Sequence, residues 1–593
     1  MRVLVRKFLR LIYRVQVDGM SHYQAAGNRV LIVANHTSFL DGILLTFLLP
    51  DTLSFVVNTH IARKWWARPF LYFAHVFVVD HLHPQAIRSV IRHIHSGNRV
   101  VIFPEGRITL TGSLMKVYAG TGLAADRSAA NILPIKIDGA QYTPFARSHL
   151  VGRVRWFPRI RLTILPHRKL LLGPELRGRI RRYKAAHTMT QWMCDMVYET
   201  SNFHRLMYEA LLEARNIHGG RHVVMDDIDR TRLSYDELFH QVWVLAKQMR
   251  RETRQKEAVG LCLPNSILTI ATFFAIQIAG RIPVILDWRL GRNEMERICR
   301  QHNIKRIYSS KVLMEQVGAG HLFESTDAIW IALPGALPDR GVRGVLRKRW
   351  LAFWAPVLFR RFNLASGPAD VAVVLVFRSQ ETATTEYLSL SHQQLLAGRQ
   401  QFVTHFDFSR GDVLYCAWPL AHPYGMILGA LLPVLSGIKL FIYPSFNRHR
   451  IITEMIYDLG VSVIIAPDEH LCSLMTVAHP LDFYRCRYLL CPGPLSKSVR
   501  EQYLHRHGIR IYEGLGAENH GVFISFNIPR DVRTGSLGRP MVGVSVQAGG
   551  AEGRGLCAVT ASRNKQGRPE KIELGDDLAM DDSGFLWRLG GAS

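Results

Sequence analysis

The sequence predicts an α/β protein made of two successive α/β domains. The chain has 593 residues, far more than one hydrophobic core usually serves. Hydrophobic residues make up 48% of the chain and charged residues 20%, a balance typical of folded globular proteins. Short β-branched runs alternate with helical stretches on both sides of a helical connection, which indicates largely parallel sheets covered by helices.

The chain begins with a basic amphipathic segment, residues 1–17, that interleaves arginines and a lysine with apolar side chains. It lacks the uninterrupted apolar core of a signal peptide. We interpret it as a helix lying on a membrane surface, with an ordinary helix docked on the protein as the alternative. No uncharged run free of proline and glycine reaches the roughly 20 residues of a spanning helix, so we expect a soluble or peripheral protein.

The first α/β domain is predicted over residues 1–197. Apolar runs rich in β-branched residues predict buried strands at 30–33, 54–57, 76–79, 99–103 and 132–137. The stretches between the strands predict helices at 64–73, 85–96 and 119–128. A helical stretch from about 175 to 214 then carries the chain across, with the connection between the domains placed at 198–217.

The second α/β domain is predicted over residues 218–593. Its strands are predicted at 258–263, 283–286, 371–376, 413–418, 439–443 and 462–466. The segment 342–362 between two of these strands is basic and rich in tryptophan and phenylalanine. Its composition fits a membrane anchor, a single-strand nucleic-acid platform, or a partly buried helix kinked at Pro356.

The charge balance narrows the classes of partner. Lysine and arginine total 74 against 47 acidic residues, a formal net charge of +27. Such an excess favours nucleic acid, an anionic membrane surface, or acidic substrates and proteins. The sequence holds no zinc-finger or RNA-recognition pattern, which disfavours nucleic acid. The eight cysteines form no C-x-x-C pair, which favours a reducing compartment and disfavours a zinc ribbon.

Two strand ends in the first domain carry residues suited to catalysis. His36 follows the first strand, and Asp41 opens the helix after it. The carboxyl end of a strand, at the turn into a helix, is where α/β folds place chemistry. A later strand runs into the turn 105–107, Glu-Gly-Arg, where arginine offers a forked donor to a phosphate and glycine lets the backbone come close. The spacing His-x4-Asp recurs twice more in the chain, so its context, rather than the spacing, singles out His36.

Taken in this order, residues 35–41 (NHTSFLD) and 103–107 (FPEGR) resemble the two marks of the glycerophospholipid acyltransferase family. The resemblance covers about residues 2–197. It implies direct transfer of an acyl chain from a thioester to the hydroxyl of a lysophospholipid, with no cofactor. This sequence departs from the family in placing its arginine one position early, and in lacking an arginine within 76–83. These departures leave the head group of the acceptor open.

The same resemblance assigns roles to individual residues. His36 would act as general base on the acceptor hydroxyl, and Asp41 would hold the imidazole tautomer and stabilise the imidazolium. The residues implied to position the glycerol phosphate are Glu105, Gly106 and Arg107, to which we add Lys116 as a further candidate.

The second domain resembles the acyl-adenylate-forming enzymes. The stretches that carry the resemblance are 263–266, 418–422, 512–519, 534–539 and 574–586. The order of the two domains matches bifunctional acyl-ACP synthetase/2-acylglycerophosphoethanolamine acyltransferases, and the implied fold is the large N-terminal subdomain of an adenylate-forming enzyme. Two nucleotide-binding positions of that family are retained, at Gly516 and Asp576.

Other features of the adenylating site are missing from the sequence. The segment matching the phosphate loop, 377–387 (FRSQETATTEY), has no glycine or lysine, and its Glu381 and Glu386 would repel a triphosphate. Asn519 stands where the family has the glutamate that binds magnesium. Because the chain stops at Ser593, we expect the small C-terminal lid to be absent. We therefore predict a degenerate, truncated domain that does not adenylate fatty acids.

These features together predict a peripheral acyltransferase on the cytoplasmic face of the inner membrane. Its substrates would be a lysophospholipid and an acyl thioester, either acyl-ACP or acyl-CoA. We expect no metal site, and ATP and magnesium would be needed only if the second domain were active. Two alternatives stay open: a bifunctional enzyme that also activates free fatty acid, and a non-catalytic lipid-binding scaffold.

Overall fold

The computed structural model describes residues 2–58, 75–79, 84–147, 150–228, 230–316, 328–333, 350, 354–355, 357–359, 367–379, 382, 384–493, 495–548, 556–563, 569–575 and 577–589. The chain forms two compact units. One consists of Met1–Ser201 with Thr404–Asp407, and the other of Asn202–Val403 with Phe408–Ser593. The predicted helix 64–73, the segment 80–83, most of 342–362, Glu381 and Asp576 lie outside the described residues.

Helices and strands alternate through the first unit. Its helices are α1 (Arg2–Ile12), α2 (Met20–Ala25), α3 (Leu40–Leu48), α4 (Pro84–His95), α5 (Ala119–Ser128) and α6 (Gly178–Glu199). Its strands are β1 (Gln16–Asp18), β2 (Val30–Ala34), β3 (Ser54–Asn58), β4 (His75–Val79), β5 (Arg99–Ile102), β6 (Asn131–Asp138), β7 (Arg161–Ile164) and β8 (Arg168–Lys169). The five strands predicted for this unit are confirmed to within one residue at either end.

One mixed sheet forms the centre of the first unit, in the order β1-β7-β6-β2-β5-β3-β4 among the described residues, with β8 also pairing with β6. The middle strand, β2, runs parallel to both β5 and β6. All five of its residues are buried because helices cover both faces. Val30 and Ile32 pack into the core shared with α1 and α3, and Leu31 and Val33 into the core shared with α5 and α6.

The single helical stretch predicted at 175–214 is wrong in detail, because two helices are found there. The first, α6, ends near Thr200, where the hydroxyl groups of Thr200 and Ser201 donate to the carbonyl oxygens of Met196 and Val197. The second helix begins after Leu206, whose N–H donates to the Glu209 carboxylate at 2.9 Å.

The second unit also alternates helices and strands. Its helices are α7 (Met207–His218), α8 (Tyr235–Glu252), α9 (Ile267–Ile278), α10 (Arg292–Gln301), α11 (Lys311–Gln316), α12 (His392–His405), α13 (Leu432–Ser436), α14 (His449–Leu459), α15 (Asp468–Val477) and α16 (Lys497–His507). Its strands are β9 (Val223–Asp226), β10 (Arg232–Ser234), β11 (Ala258–Cys262), β12 (Ile282–Leu286), β13 (Arg306–Ser310), β14 (Ile329–Leu333), β15 (Val371–Arg378), β16 (Thr385–Ser391), β17 (Val413–Cys416), β18 (Lys439–Phe441), β19 (Val463–Ile465), β20 (Tyr488–Cys491), β21 (Ile511–Ala517), β22 (Val522–Phe526), β23 (Arg539–Pro540), β24 (Val544–Ala548), β25 (Leu556–Arg563), β26 (Pro569–Leu574), β27 (Leu578–Met580) and β28 (Leu586–Arg588).

Two large sheets organise the described part of this unit. One has the order β10-β9-β18-β17-β19-β20-β21-β22-β23, and the other the order β14-β13-β11-β12-β15-β16. The six strands predicted for the second domain are all present, three in each sheet. Smaller sheets, β24-β25-β26 and β27-β28, follow towards the end of the chain. None of the described helices is long and apolar enough to cross a membrane.

Candidate active site

The turn between β2 and α3 brings His36 and Asp41 together. Asp41 lies in the first turn of α3 and is fully buried. Its Oδ2 accepts the backbone N–H groups of Thr37 at 2.6 Å and Ser38 at 2.8 Å. The same oxygen lies 3.0 Å from Nδ1 of His36. One carboxylate therefore shapes the turn and fixes the imidazole.

The imidazole ring of His36 contacts Asp41 at its edge and Phe103 on its face. It stacks on Phe103 with ring centroids 4.2 Å apart and an angle of 19° between the planes. The His36 side chain is 15% exposed. Because Nδ1 faces Asp41, Nε2 is the nitrogen available to a substrate, which is the arrangement a general base requires.

Glu105 ties the second motif to the His36 turn. Its side chain is buried, Oε1 accepts the N–H of His36 at 2.9 Å, and Oε2 accepts the N–H of Met115 at 2.8 Å. Burial raises the pKa of the Glu105 carboxyl above its ordinary value, although these two N–H groups oppose the shift. The sequence predicts Glu105 as a contact to the glycerol phosphate; the geometry instead places it to hold the turns in register.

The other residues predicted to bind phosphate lie on the surface. Gly106 has a φ of 63°, the left-handed conformation that glycine adopts without strain, and it closes the turn with its N–H donating to the carbonyl oxygen of Phe103 at 3.0 Å. Arg107 and Lys116 are exposed and form no ion pair within the described part of the chain. Both cations are therefore free to meet an anionic ligand.

Asn35 is a positioning residue, although the motif 35–41 by itself assigns it no role. Its side chain is buried, its Nδ2 donates to the carbonyl oxygen of Ile137 at 2.9 Å, and its Oδ1 accepts the N–H of Ile137 at 2.7 Å. The amide thus extends the pairing of β2 with β6 up to His36. An asparagine placed directly before the histidine, at the end of an apolar run, is the signal that could have identified it.

In the second unit, Gly516 and its neighbours are packed by protein side chains. A Cβ atom on Gly516 would lie 2.0 Å from Oη of Tyr424, so the tyrosine hydroxyl rests directly on this glycine. Glu518 is buried, with one oxygen accepting the hydroxyl of Ser379 at 3.1 Å and the other 3.5 Å from Nε2 of His422. Burial lowers the pKa of His422, although Glu518 opposes the shift.

The described residues of the segment 377–387 do not fit a triphosphate. The hydroxyl groups of Thr382 and Thr384 lie 2.7 Å apart, and that of Thr384 donates to the Glu386 carboxylate at 3.1 Å. A phosphate cradle needs converging N–H groups and a cation, whereas these hydroxyls are directed towards a negative charge. The second predicted nucleotide-binding residue, Asp576, lies outside the described residues.

Comparison with known proteins identifies both halves of the chain. Residues 14–138 match the family described as acyltransferase, and residues 212–558 match the family described as AMP-binding enzyme. Because the second match spans more than half of the chain, the chain belongs to the AMP-binding enzyme family. The predicted order, an acyltransferase domain followed by an adenylate-forming domain, is confirmed. That the second domain is degenerate and truncated stays a prediction.

The relatives found among curated proteins resemble the second half. The chain is 21% identical over 329 residues to 4-coumarate–CoA ligase-like 3 of Arabidopsis thaliana, covering 53% of this chain and 58% of the relative. It is 29% identical over 159 residues to the mitochondrial acyl-coenzyme A synthetase ACSM4 of Rattus norvegicus, covering 21% of this chain and 27% of the relative. The chain thus spans little more than half the length of the first relative and less of the second.

Solved structures show the fold of the same half. MatB from Rhodopseudomonas palustris, in its apo crystal structure, aligns with a TM-score of 0.52 at 15% identity, covering 66% of this chain and 79% of that chain. The long-chain-fatty-acid–CoA ligase FadD1 from Archaeoglobus fulgidus aligns with a TM-score of 0.54 at 17% identity, covering 65% and 84%. The α/β fold class predicted for the second domain is therefore confirmed. The two family matches together support acyl transfer or acyl activation.

Proposed function

We propose that the first unit is an O-acyltransferase that moves an acyl chain from an acyl thioester to the hydroxyl of a lysophospholipid. The observation that carries the proposal is the pairing of His36 Nδ1 with Asp41 Oδ2 at 3.0 Å, at the carboxyl end of β2. The buried carboxylate fixes one ring nitrogen, and the other nitrogen is left to take a proton.

The reaction follows from that geometry in one transfer step. Nε2 of His36 accepts the proton of the lysophospholipid hydroxyl while the hydroxyl oxygen attacks the thioester carbonyl carbon. The carbon–sulfur bond breaks, and the imidazolium returns its proton to the departing thiolate, so the products are an ester and a free thiol. Asp41 stabilises the imidazolium between these two proton transfers. No covalent acyl-enzyme is required.

The acceptor's phosphate is assigned to the exposed cations beside the site. Arg107 follows the turn that Glu105 anchors, and Lys116 follows Met115, whose N–H also donates to Glu105. Both cations are thus attached to the element that supports the His36 turn. Arginine in particular can bind phosphate with two parallel hydrogen bonds.

The second unit does not adenylate fatty acids in this proposal. The absence of glycine and lysine from 377–387, the acidic surroundings of Thr384, and the inward-turned Glu518 support this assignment. The competing function, activation of free fatty acid with ATP, is favoured by the match of residues 212–558 to the AMP-binding enzymes. No step of the mechanism is assigned to a nucleotide or to magnesium.

The remaining assignments concern partners and location. The acyl donor is acyl-ACP or acyl-CoA, and the protein acts as a peripheral protein on the cytoplasmic face of the inner membrane. The formal charge of +27 supports attraction to anionic lipid and to acidic carrier protein.

Product analysis by mass spectrometry tests the transfer. Wild type and His36→Ala receive lysophosphatidylethanolamine and a preformed acyl thioester, and diacyl product is measured over time. Loss of a general base costs roughly 10²–10⁴-fold, so His36→Ala should nearly abolish product. His167→Ala, which removes an exposed histidine of the same unit, should behave as wild type. Wild-type turnover in His36→Ala would refute the mechanism.

A further inference from the structure

One face of α1 docks on the protein and so orients the rest of the helix. Leu9 is buried, and Val5 and Ile12 pack against the same core. The guanidinium of Arg2 donates to the carbonyl oxygens of Thr46 and Asp51, each at 3.2 Å. These contacts leave the opposite and lateral faces of α1 directed outwards.

An apolar strip on α1 has no partner in the described chain. Leu4, Phe8 and Leu11 are 71%, 60% and 79% exposed. Residues at positions i, i+4 and i+7 lie on one face of a helix, so these side chains form a continuous strip. Single exposed apolar residues are ordinary, but a contiguous strip of large ones marks a surface that another body covers.

The segment 154–157 extends this strip beyond the helix. Trp156 and Phe157 are 68% and 57% exposed. Phe157 contacts Tyr13, just after α1, with ring centroids 6.2 Å apart, and its carbonyl oxygen accepts a hydrogen bond from Arg14 at 3.1 Å. We call Leu4, Phe8, Leu11, Trp156 and Phe157 the interfacial patch. Tryptophan is a side chain that favours the boundary between lipid and water.

Exposed cations stand close in sequence to the residues of the interfacial patch. Lys7 and Arg10 are exposed on α1, and Arg153 and Arg159 are exposed on either side of Trp156 and Phe157. None of these four forms an ion pair within the described residues. A second copy of the chain would bring like charges together, whereas an anionic lipid surface would neutralise them. Apolar side chains flanked by cations are the pattern of a helix lying in the plane of an anionic bilayer.

The same loop that carries the aromatic residues is bonded to the His36 turn. The N–H of Arg155 donates to the carbonyl oxygen of Tyr142 at 2.7 Å, and the N–H of Phe39 donates to that of Phe145 at 3.2 Å. Ser38 and Ala146 also form an isolated β-bridge. Residues 142–147 and 150–157 therefore join the interfacial patch to the turn that positions the candidate base.

We propose that the interfacial patch seats the first unit on an anionic lipid bilayer, with residues 142–147 and 150–157 placing the His36 turn next to the membrane surface. The binding to lipid stands on the patch alone, whereas the supply of acceptor lipid from the bilayer to His36 rests on the proposed function. An acceptor lysophospholipid would then reach His36 from the membrane without passing through water.

Vesicle flotation of the full chain tests the binding. Vesicles of phosphatidylcholine mixed with phosphatidylglycerol are compared with vesicles of phosphatidylcholine alone. The double variant Phe8→Ser/Trp156→Ser should partition onto the mixed vesicles roughly tenfold or more weakly than wild type. The matched control, Ile180→Ser/Tyr183→Ser, removes two exposed side chains of α6, which packs on the other face of the sheet, and should float as wild type.

Each result of the flotation assay decides the proposal. Wild-type flotation of the patch variant, or failure of wild type to float, would overturn it. Equal binding to neutral and mixed vesicles would overturn the choice of an anionic surface, as would an unchanged affinity in Lys7→Gln/Arg10→Gln. Thermal unfolding checks that each variant is folded, and the single loop variant Trp156→Ser repeats the comparison if the double variant is not.

A kinetic arm separates this proposal from the transfer mechanism. With a short-chain lysophospholipid dissolved as monomers, the patch variant should keep the wild-type rate; with acceptor embedded in mixed vesicles, its rate should fall with its binding. His36→Ala should lose both rates and still float. Flotation without transfer in wild type would refute the proposed function alone, and an equal loss of both rates in the patch variant would refute the delivery role.

Discussion

Asp41 combines two tasks that different substitutions can separate. Its Oδ2 holds the turn through the N–H groups of Thr37 and Ser38, and it also faces Nδ1 of His36. An asparagine can still accept hydrogen bonds from the turn, but it carries no charge to stabilise an imidazolium. The local structure and the catalytic contribution should therefore respond differently to Asp41→Asn.

We expect Asp41→Asn to lower kcat roughly 10²-fold or more, with a smaller change in KM. Steady-state kinetics with a preformed thioester and lysophospholipid measures both constants. The thermal unfolding curve serves as the control, because a general loss of structure would shift it strongly. A kcat within a few-fold of wild type would show that the carboxylate charge is not needed.

Glu105 predicts a pH dependence of stability. Burial raises the pKa of its carboxyl above the ordinary value of 4.5, so the folded protein keeps a proton that the unfolded chain releases. Wherever the folded state binds more protons, stability falls as pH rises. The stabilisation due to Glu105 is therefore complete below about pH 4.5 and declines as the pH rises through the raised pKa.

Thermal unfolding of wild type and Glu105→Gln between acidic and neutral pH measures this effect. Glutamine does not titrate, so the stability difference between the two proteins should narrow as pH rises. A difference that widens instead would mean that the N–H groups of His36 and Met115 outweigh burial and favour the carboxylate. Transfer activity should fall in the same variant, because one N–H loses its acceptor.

At the level of single residues, context predicted more than spacing did. The pattern His-x4-Asp also occurs at His222/Asp227, where Nε2 of His222 lies 2.7 Å from the carbonyl oxygen of Gly437 and burial lowers the pKa of the ring. That histidine is a packing residue. The position of His36 after a buried strand was visible in the sequence, whereas the turn-holding role of Glu105 depends on contacts across 69 residues of chain.

At the level of elements, Asn35 secures the junction on which the candidate site depends. It makes two hydrogen bonds with Ile137 beyond the last paired residues of β2 and β6. Asn35→Ala would leave a buried N–H and a buried C=O unpaired, which should cost about 2–3 kcal/mol of stability. Denaturant unfolding measures the loss.

The matched control for that substitution is Asn98→Ala, since Asn98 donates to the carbonyl oxygen of His93 in a partly exposed turn of the same unit. This variant should lose less than about 1 kcal/mol, because water can replace the bond. Equal losses in the two variants would contradict a special role for Asn35.

His392, at the start of α12, predicts that the stability of the second unit falls in acid. His392 is buried, its Nδ1 accepts the N–H of Met207 at 3.1 Å, and burial lowers its pKa to about 4. In the unfolded chain His392 is protonated below about pH 6.5, whereas in the folded protein it stays neutral down to about pH 4. Stability should therefore fall as the pH drops through this window, by up to about 3 kcal/mol.

The variant His392→Asn isolates that contribution. Its amide oxygen can still accept the N–H of Met207, but it does not titrate. Urea unfolding at neutral pH and near pH 4 should show a smaller acid-induced loss in the variant than in wild type. An identical loss would mean that other groups cause the acid sensitivity, and His470, whose pKa burial lowers to about 3, would be the next residue to substitute.

Element positions in the first unit were predictable because strands buried on both faces produce uninterrupted apolar runs, as in β2. The break between α6 and α7 was not, because it depends on hydroxyl groups that donate back to the helix, as in Thr200 and Ser201. Such side-chain bonds compete with the helix at a scale that periodicity does not report.

For the whole molecule, the net charge predicted an anionic partner but not the surface of the protein that binds it. The excess of +27 could be spread over both units, and composition alone cannot locate an unpaired cation. The fold adds that information, because the contacts of Tyr13 and Arg14 with Phe157 bring the segment that carries Arg153 and Arg159 to the helix that carries Lys7 and Arg10.

The last prediction concerns the proposal that the first unit transfers an acyl chain and the second does not activate fatty acids. With lysophospholipid as acceptor, wild type supplied with a preformed acyl thioester should form diacyl product. Supplied instead with free fatty acid, ATP, magnesium and either carrier protein or coenzyme A, it should form none. The reason is that the hydroxyls of Thr382 and Thr384 are directed towards the Glu386 carboxylate, and Glu518 is turned inwards to Ser379, so these side chains are not arranged to hold a triphosphate.

Fatty-acid-dependent ATP–pyrophosphate exchange provides the sharper readout, since it reports adenylation even when transfer fails. Exchange should stay at background, and adding a separate acyl-CoA synthetase should restore product from free fatty acid. Glu518→Gln should leave the thioester-dependent rate unchanged, because that residue belongs to the second unit and not to the His36 site. Exchange above background in wild type would restore the bifunctional alternative. It would mean that residues outside 377–387 hold the nucleotide, since that segment has no glycine or lysine.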